Sequence, residues 1–76
     1  MIAATCLALV LWSEARGESR LGQLLVAEVV VNRVLSDEFP DSVCEVVQQP
    51  GQFSVGSTTT DELQQLAESV LDDRVE

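Results

Sequence analysis

The sequence predicts a mostly α domain of three to four helices, with a short extended segment at Gln52-Phe53-Ser54. Three observations lead there. Apolar residues recur at helical spacing in several stretches. Gly17, Pro40 and Pro50-Gly51 punctuate the chain between those stretches. No alternating apolar and polar run is long enough for a strand of any length. With 76 residues the chain makes one small domain, and the 46% hydrophobic share suffices for a core.

The first element, Ile2 to about Ala15, is an apolar run of good helix formers that stops at Gly17. The second runs from about Ser19 to Leu35. Its apolar stripe is Leu21, Leu24, Leu25, Val29, Val31 and Val34, widened by Val30, with Glu28 and Asn32 within or beside it. Ser36 to Asp41 breaks this helix at Pro40. Ser42 to Gln48 reads as a short third helix, capped by Asp41 or Ser42 and turning Val43, Val46 and Val47 to the core. Pro50-Gly51 ends it, and Gln52 to Thr58 is extended or looped. Thr59 and Glu62 have the spacing of a capping box, with Thr59 as N-cap. Leu63, Leu66, Ala67, Val70 and Leu71 then define a last helix that frays from Asp72 to Glu76.

Composition excludes whole classes of chemistry. All four basic residues are arginine, and there is no Lys, His or Tyr. Without His there is no Ser-His-Asp or Cys-His machinery and no imidazole metal site. Without Lys there is no Schiff base and no P-loop. The net charge of −9 repels a phosphate backbone, so no nucleic-acid partner is expected. Ile2 to Trp12 is uncharged but lacks a basic flank and falls short of the roughly 20 residues of a membrane span, so it is read as a buried helix, with no signal peptide visible. Cys6 and Cys44 match no zinc or redox spacing. Buried reduced thiols are expected, and a Cys6–Cys44 disulfide stays open.

Glu14 is the acidic residue of most interest. It follows the apolar stretch Leu7 to Trp12 directly, so partial burial would favour the protonated form that a general acid needs. Read alone, an acid at a helix end beside arginine is ordinarily a solvated surface residue. Glu18 lies beyond Gly17, and Arg16 and Arg20 are able to pair with either acid.

The motifs around Glu14 change the weight of that reading. Trp12 to Glu18 resembles the Glu-Ala-Arg-Gly-Glu signature of the spore-cortex-lytic type of bacterial and phage cell wall hydrolases. Gly22 to Val34 is similar to the family's second helix. Phe39 to Val47 is similar to its Phe-Pro-Asp-x-Val-Cys-x-Val-Val segment, and Gln52-Phe53-Ser54 to its Gln-Phe-Ser element. Together these cover roughly Leu7 to Ser54, and the last helix agrees only in being helical. Where relatives often carry a second Cys just before Gln-Phe-Ser, this chain has Gly51. The family domain normally runs on past the last helix into a segment rich in Ala, Thr, His and Tyr. The chain is therefore expected to be the N-terminal part of such a domain.

The resemblance implies a small, lysozyme-like helical domain that cuts the glycan strands of peptidoglycan between N-acetylmuramic acid and N-acetylglucosamine. It implies a lytic transglycosylase with Glu14 as the catalytic acid, acting at the cell wall and requiring no metal or cofactor. Gln52, Phe53 and Ser54 are expected to meet the sugars, Phe53 by stacking on a sugar face. Asn32 and Arg16 are expected behind the site, with Asn32 tethering the loop around Glu14. Trp12 is read as core in preference to a sugar platform, and Glu28 and Arg33 equally as a surface or interhelical pair or as part of the catalysis. The alternative is a truncated, inactive domain that binds glycan or a protein partner; a plain helical interaction protein is the blandest reading.

Overall fold

The computed structural model describes residues 2–74, and in them the chain folds into four helices. These are α1 Ile2–Ala15, α2 Arg20–Val34, α3 Val43–Val47 and α4 Asp61–Arg74. Among the described residues there is no strand. The helical class and the order of elements are those expected from the sequence.

Helix α1 is the centre of the domain. It packs against α2, α3 and α4, whereas α3 and α4 do not pack on each other. A helix enclosed on several sides is apolar around most of its circumference, which explains its uncharged run. Leu7, Val10 and Leu11 are fully buried, as are Ala4 and Ala8, whose small side chains let neighbouring helices approach. Each buried Leu stabilises the fold by about 1.5–3 kcal/mol. Val30 and Val31 of α2, Val46 and Val47 of α3, and Leu66, Ala67 and Leu71 of α4 complete the core.

The buried face of α2 differs from the expected stripe. Ala27, Val30, Val31 and Val34 are buried, with Leu24 packed at their edge, whereas Leu21, Leu25 and Val29 are exposed. At 100° per residue these two apolar sets occupy nearly opposite sides of the helix, so spacing alone merged two faces into one. The same rotation places Asn32 on the exposed side.

The helix ends are set by hydroxyl caps. Ser19 Oγ accepts the Gly22 N–H and Ser42 Oγ accepts the Glu45 N–H. At α4 the cap is Thr60, one residue later than expected: its Oγ1 accepts the Leu63 N–H at 3.1 Å. Thr59 instead donates its hydroxyl to the Ala8 carbonyl on α1 at 2.9 Å. No Thr59–Glu62 capping box therefore forms, because Thr59 is drawn to a tertiary acceptor. Helix α4 stays regular through Asp72 and Asp73 to Arg74, beyond where fraying was expected; Val75 and Glu76 lie outside the described residues. Gly51 takes a φ of +77° after Pro50, the left-handed geometry that favours glycine at this turn.

Cys6 and Cys44 form a disulfide between α1 and α3 with Cα atoms 5.3 Å apart, in place of the expected reduced thiols. They are 38 residues apart in sequence, so the proximity arises only once α3 docks on α1. A loop of that length corresponds to about 4 kcal/mol of stabilisation in the chain-entropy account. Small domains total about 5–15 kcal/mol, so this one bond carries a large share. Urea unfolding of the Cys6→Ser/Cys44→Ser double variant is expected to show a loss of about 4 kcal/mol relative to the oxidised parent. A difference below about 1 kcal/mol would show that the bridge contributes little to holding α3.

Candidate active site

The last turn of α1 emerges from the core and carries Trp12, Ser13, Glu14 and Ala15. Ala15 remains buried, while the Glu14 side chain is exposed. The partial burial expected for Glu14 is therefore not found: the 200° between Trp12 and Glu14 around the helix turns the tryptophan inward and the carboxylate outward.

What does meet Glu14 is the segment from the far side of α3. The backbone N–H of Ser54 donates to Glu14 Oε2 at 2.7 Å, joining positions 40 residues apart. Oε1 has no protein partner among the described residues. The carboxyl group is thus fixed through one oxygen and open through the other.

The segment carrying Ser54 is held at several points. Arg33 of α2 donates from Nη1 to the Gln52 side-chain carbonyl oxygen at 2.9 Å. Its guanidinium also lies 5.1 Å from the ring centres of both Phe39 and Phe53, a cation–π arrangement that ties two loops to one helix. Phe53 is half-buried against the core. Farther on, Gly56 donates its N–H to the Leu9 carbonyl at 3.4 Å. A Cβ at Gly56 would stand 2.5 Å from Ser13 Oγ and 3.4 Å from the Trp12 ring, so a larger residue there requires the Ser13 hydroxyl to turn away. Thr59 then bonds to Ala8. The loop therefore crosses α1 from its C-terminal turn back toward its middle, and Glu14–Ser54 is one of a series of contacts.

Other residues named from the sequence take different places. Arg16 folds back over the Trp12 ring with its guanidinium 4.1 Å from the centroid, and Nη1 donates to the Trp12 carbonyl at 3.2 Å. Trp12 is half-buried, packed on the core as expected. Asn32 does not tether the Glu14 loop; its Oδ1 accepts from Arg74 Nη2 at 3.3 Å. Glu28 pairs with Arg74, not with Arg33. Both side chains of that pair are more than one-third exposed, so it is worth about 0–1 kcal/mol. Sequence reading missed the bracing role of Arg33, the strap contacts of Gly56 and Thr59, and Gln23, whose Nε2 donates to the Ala15 carbonyl at the end of α1 at 3.3 Å. A polar Gln on a helix close behind a helix end is a faint signal for such a cap; nothing local marks the rest.

Among the described residues no cluster of three or more His, Cys, Asp or Glu is arranged to hold a metal, and no helix is long and apolar enough to cross a membrane.

The site is thus a carboxyl group at the end of α1, exposed and anchored by a backbone amide from a distant strap. A family model described as Cell Wall Hydrolase matches residues 17–76, and the chain belongs to that family. The match includes α4, which the motifs alone did not reach, and it begins three residues after Glu14.

Among curated proteins, the spore cortex-lytic enzyme of Bacillus cereus is 46% identical over 43 residues, 57% of this chain and 17% of the relative. That of Halalkalibacterium halodurans is 46% identical over 43 residues, 57% of this chain and 13% of the relative. That of Bacillus subtilis is 44% identical over 48 residues, 63% of this chain and 16% of the relative. The chain thus spans a small part of the length of the curated relatives it matches. No solved structure matches it.

Two outcomes follow from this geometry. Gly56→Ala is expected to lower the melting temperature through the contact with Ser13 Oγ, and the Ser13→Ala/Gly56→Ala double variant to recover much of the loss; a single variant that melts like the parent would show that the strap yields freely. Asn32→Ala, at an exposed position, is expected to change stability by no more than about 0.5 kcal/mol in urea unfolding.

Proposed function

We propose that the chain cleaves peptidoglycan glycan strands between N-acetylmuramic acid and N-acetylglucosamine, as a lytic transglycosylase with Glu14 as acid and then base. The observation that carries this reading is the Glu14–Ser54 bond, through which the Glu-Ala-Arg-Gly-Glu and Gln-Phe-Ser motifs meet at one carboxyl group. The family and the names of its spore cortex-lytic relatives support the substrate class.

The hydrogen-bond pattern suits the chemistry. Oε2 accepts from Ser54, so in the neutral acid the proton sits on Oε1, which faces no protein acceptor. A glycan laid over the exposed carboxyl group excludes water from it. Oε1–H then donates its proton to the glycosidic oxygen as the bond from that oxygen to the muramyl C1 breaks. The resulting carboxylate takes the proton of the muramyl 6-hydroxyl, whose oxygen closes on C1 to form the 1,6-anhydro ring. Glu14 ends as it began, protonated. The attacking hydroxyl belongs to the same sugar and needs no second carboxylate to activate a water. Glu18, beyond Gly17, has no contact with this group among the described hydrogen bonds and ion pairs.

Around the acid, Ser54 positions the carboxyl group, and Phe53 and Gln52 frame the adjoining surface for a sugar face and its amides while braced by Arg33. Arg16 acts indirectly by packing on Trp12 at the root of the same turn. The Cys6–Cys44 bridge supports action in an oxidising compartment, as at the outer face of a cell.

Glu14→Gln preserves shape and removes the acid. The rate of turbidity loss of purified sacculi is expected to fall by about 10²–10⁴-fold, with the circular dichroism spectrum unchanged. Mass spectrometry of the parent's digest is expected to show 1,6-anhydromuramyl ends. Products heavier by one water, with a reducible end, would show hydrolysis; full activity in Glu14→Gln would remove Glu14 from the chemistry.

A further inference from the structure

An acidic chain that acts on an acid-bearing polymer has a charge problem, and the placement of its arginines bears on it. Arg33 and Arg74 are committed within the fold, to Gln52 and two phenylalanines and to Glu28 and Asn32. Arg16 and Arg20 are not neutralised: among the described residues no carboxylate lies within ion-pair distance of either, although the chain has 13 acidic residues. Both line one cleft of about 260 Å³, between the end of α1, the start of α2 and the first turn of α4. Trp12 and Gln23 contribute to its walls.

Two of the polar side chains that line the cleft are already held in place. Arg16 is held by its stacking on Trp12 and its bond to the Trp12 carbonyl, and Gln23 by its bond to Ala15. Arg20, the first residue of α2, makes no side-chain contact that would occupy its guanidinium among the described residues. Guanidinium groups bind carboxylates through paired, charge-assisted hydrogen bonds, for which ammonium groups lack the geometry. Glu62 lies on the α4 wall and opposes any anion there.

Position relative to Glu14 selects the ligand. Trp12 and Arg16 share one side of α1, and Glu14 projects about 200° away around the same turn. A ligand touching both must pass the end of α1, a width of about 10 Å. A carboxylate attached directly to the sugar at Glu14 falls short of that, whereas three extended peptide residues span about 10 Å.

We propose that the cleft of Arg16 and Arg20 binds a carboxylate of the peptide stem carried by the muramyl residue. This rests on the glycan-cleavage reading for the substrate, and it makes the stem a determinant of where the strand is engaged.

The test is a titration of the isotope-labelled chain followed by NMR, which requires no turnover. Three soluble probes are compared: the N-acetylglucosamine–N-acetylmuramic acid disaccharide with its free lactyl carboxylate, the same disaccharide with a tripeptide stem, and the stem form with its carboxyls amidated. The free-acid stem is expected to shift the Trp12 indole N–H and the Arg20 Nε–H saturably. Amidation, or Arg20→Gln, is expected to weaken binding by about tenfold, the loss of a charge-assisted hydrogen bond. Glu62→Gln is expected to tighten it.

Equal affinity for free and amidated stems overturns the proposal. So does the absence of shifts at Trp12 and Arg20 with every probe, and so does binding of the lactyl disaccharide there as tightly as the stem form. Failure of the cleavage reading shows separately, as sacculi left uncut by the parent chain.

Discussion

The enclosure of α1 by the other three helices is the constraint on which the rest of the domain depends. Packed against all three other helices, this 14-residue helix leaves only Ile2, Thr5 and Glu14 exposed. Leu7, Val10 and Leu11 contribute several kcal/mol through burial, far more than any surface pair in the chain. Glu14 is therefore carried in the last turn of the helix that the other three enclose. A side chain on such a support is positioned with little loss of rotational freedom at the moment a ligand binds.

The second support is the strap from Gln52 to Thr60, which has no regular structure of its own. Its backbone groups need partners, and two find them on α1: Ser54 at Glu14 and Gly56 at Leu9. The Thr59 hydroxyl adds a third attachment at Ala8. Arg33 supplies the lateral brace from α2, and the Cys6–Cys44 bridge fixes α3, from which the strap departs, against α1. The site is thus assembled from one buried helix and one loop, with α2 and α3 holding the loop in place. In a chain of net charge −9, Arg33 and Arg74 brace the fold, Arg16 packs on Trp12 without a carboxylate partner among the described residues, and Arg20 stands open beside it in the same cleft.

Much of this was legible without coordinates. The four helices follow from apolar spacing and from punctuation by Gly17, Pro40 and Pro50-Gly51, because helix burial and chain reversal are local in their demands. Ser42 was among the caps that local pattern offered, for the same reason. The motifs around Glu14, Phe39 and Phe53 led to the family that the comparison then showed. Errors arose where one residue had two possible partners. Thr59 has the spacing of a cap but is taken by the Ala8 carbonyl, and Thr60 caps instead. Leu21, Leu25 and Val29 are as apolar as Ala27, Val30 and Val34, and only docking decides which face is covered.

The sequence by itself determined the class of the fold, the extent of α1, and the types of chemistry closed to a chain without His or Lys, because these depend on residue identity and near-neighbour spacing. Tertiary structure alone decided the disulfide, the exposure of Glu14, the bond from Ser54, and the partners of Asn32 and Glu28. Each of these depends on the rotation of a helix about its axis or on positions 38 to 46 residues apart, and a one-dimensional pattern carries neither until the helices have packed.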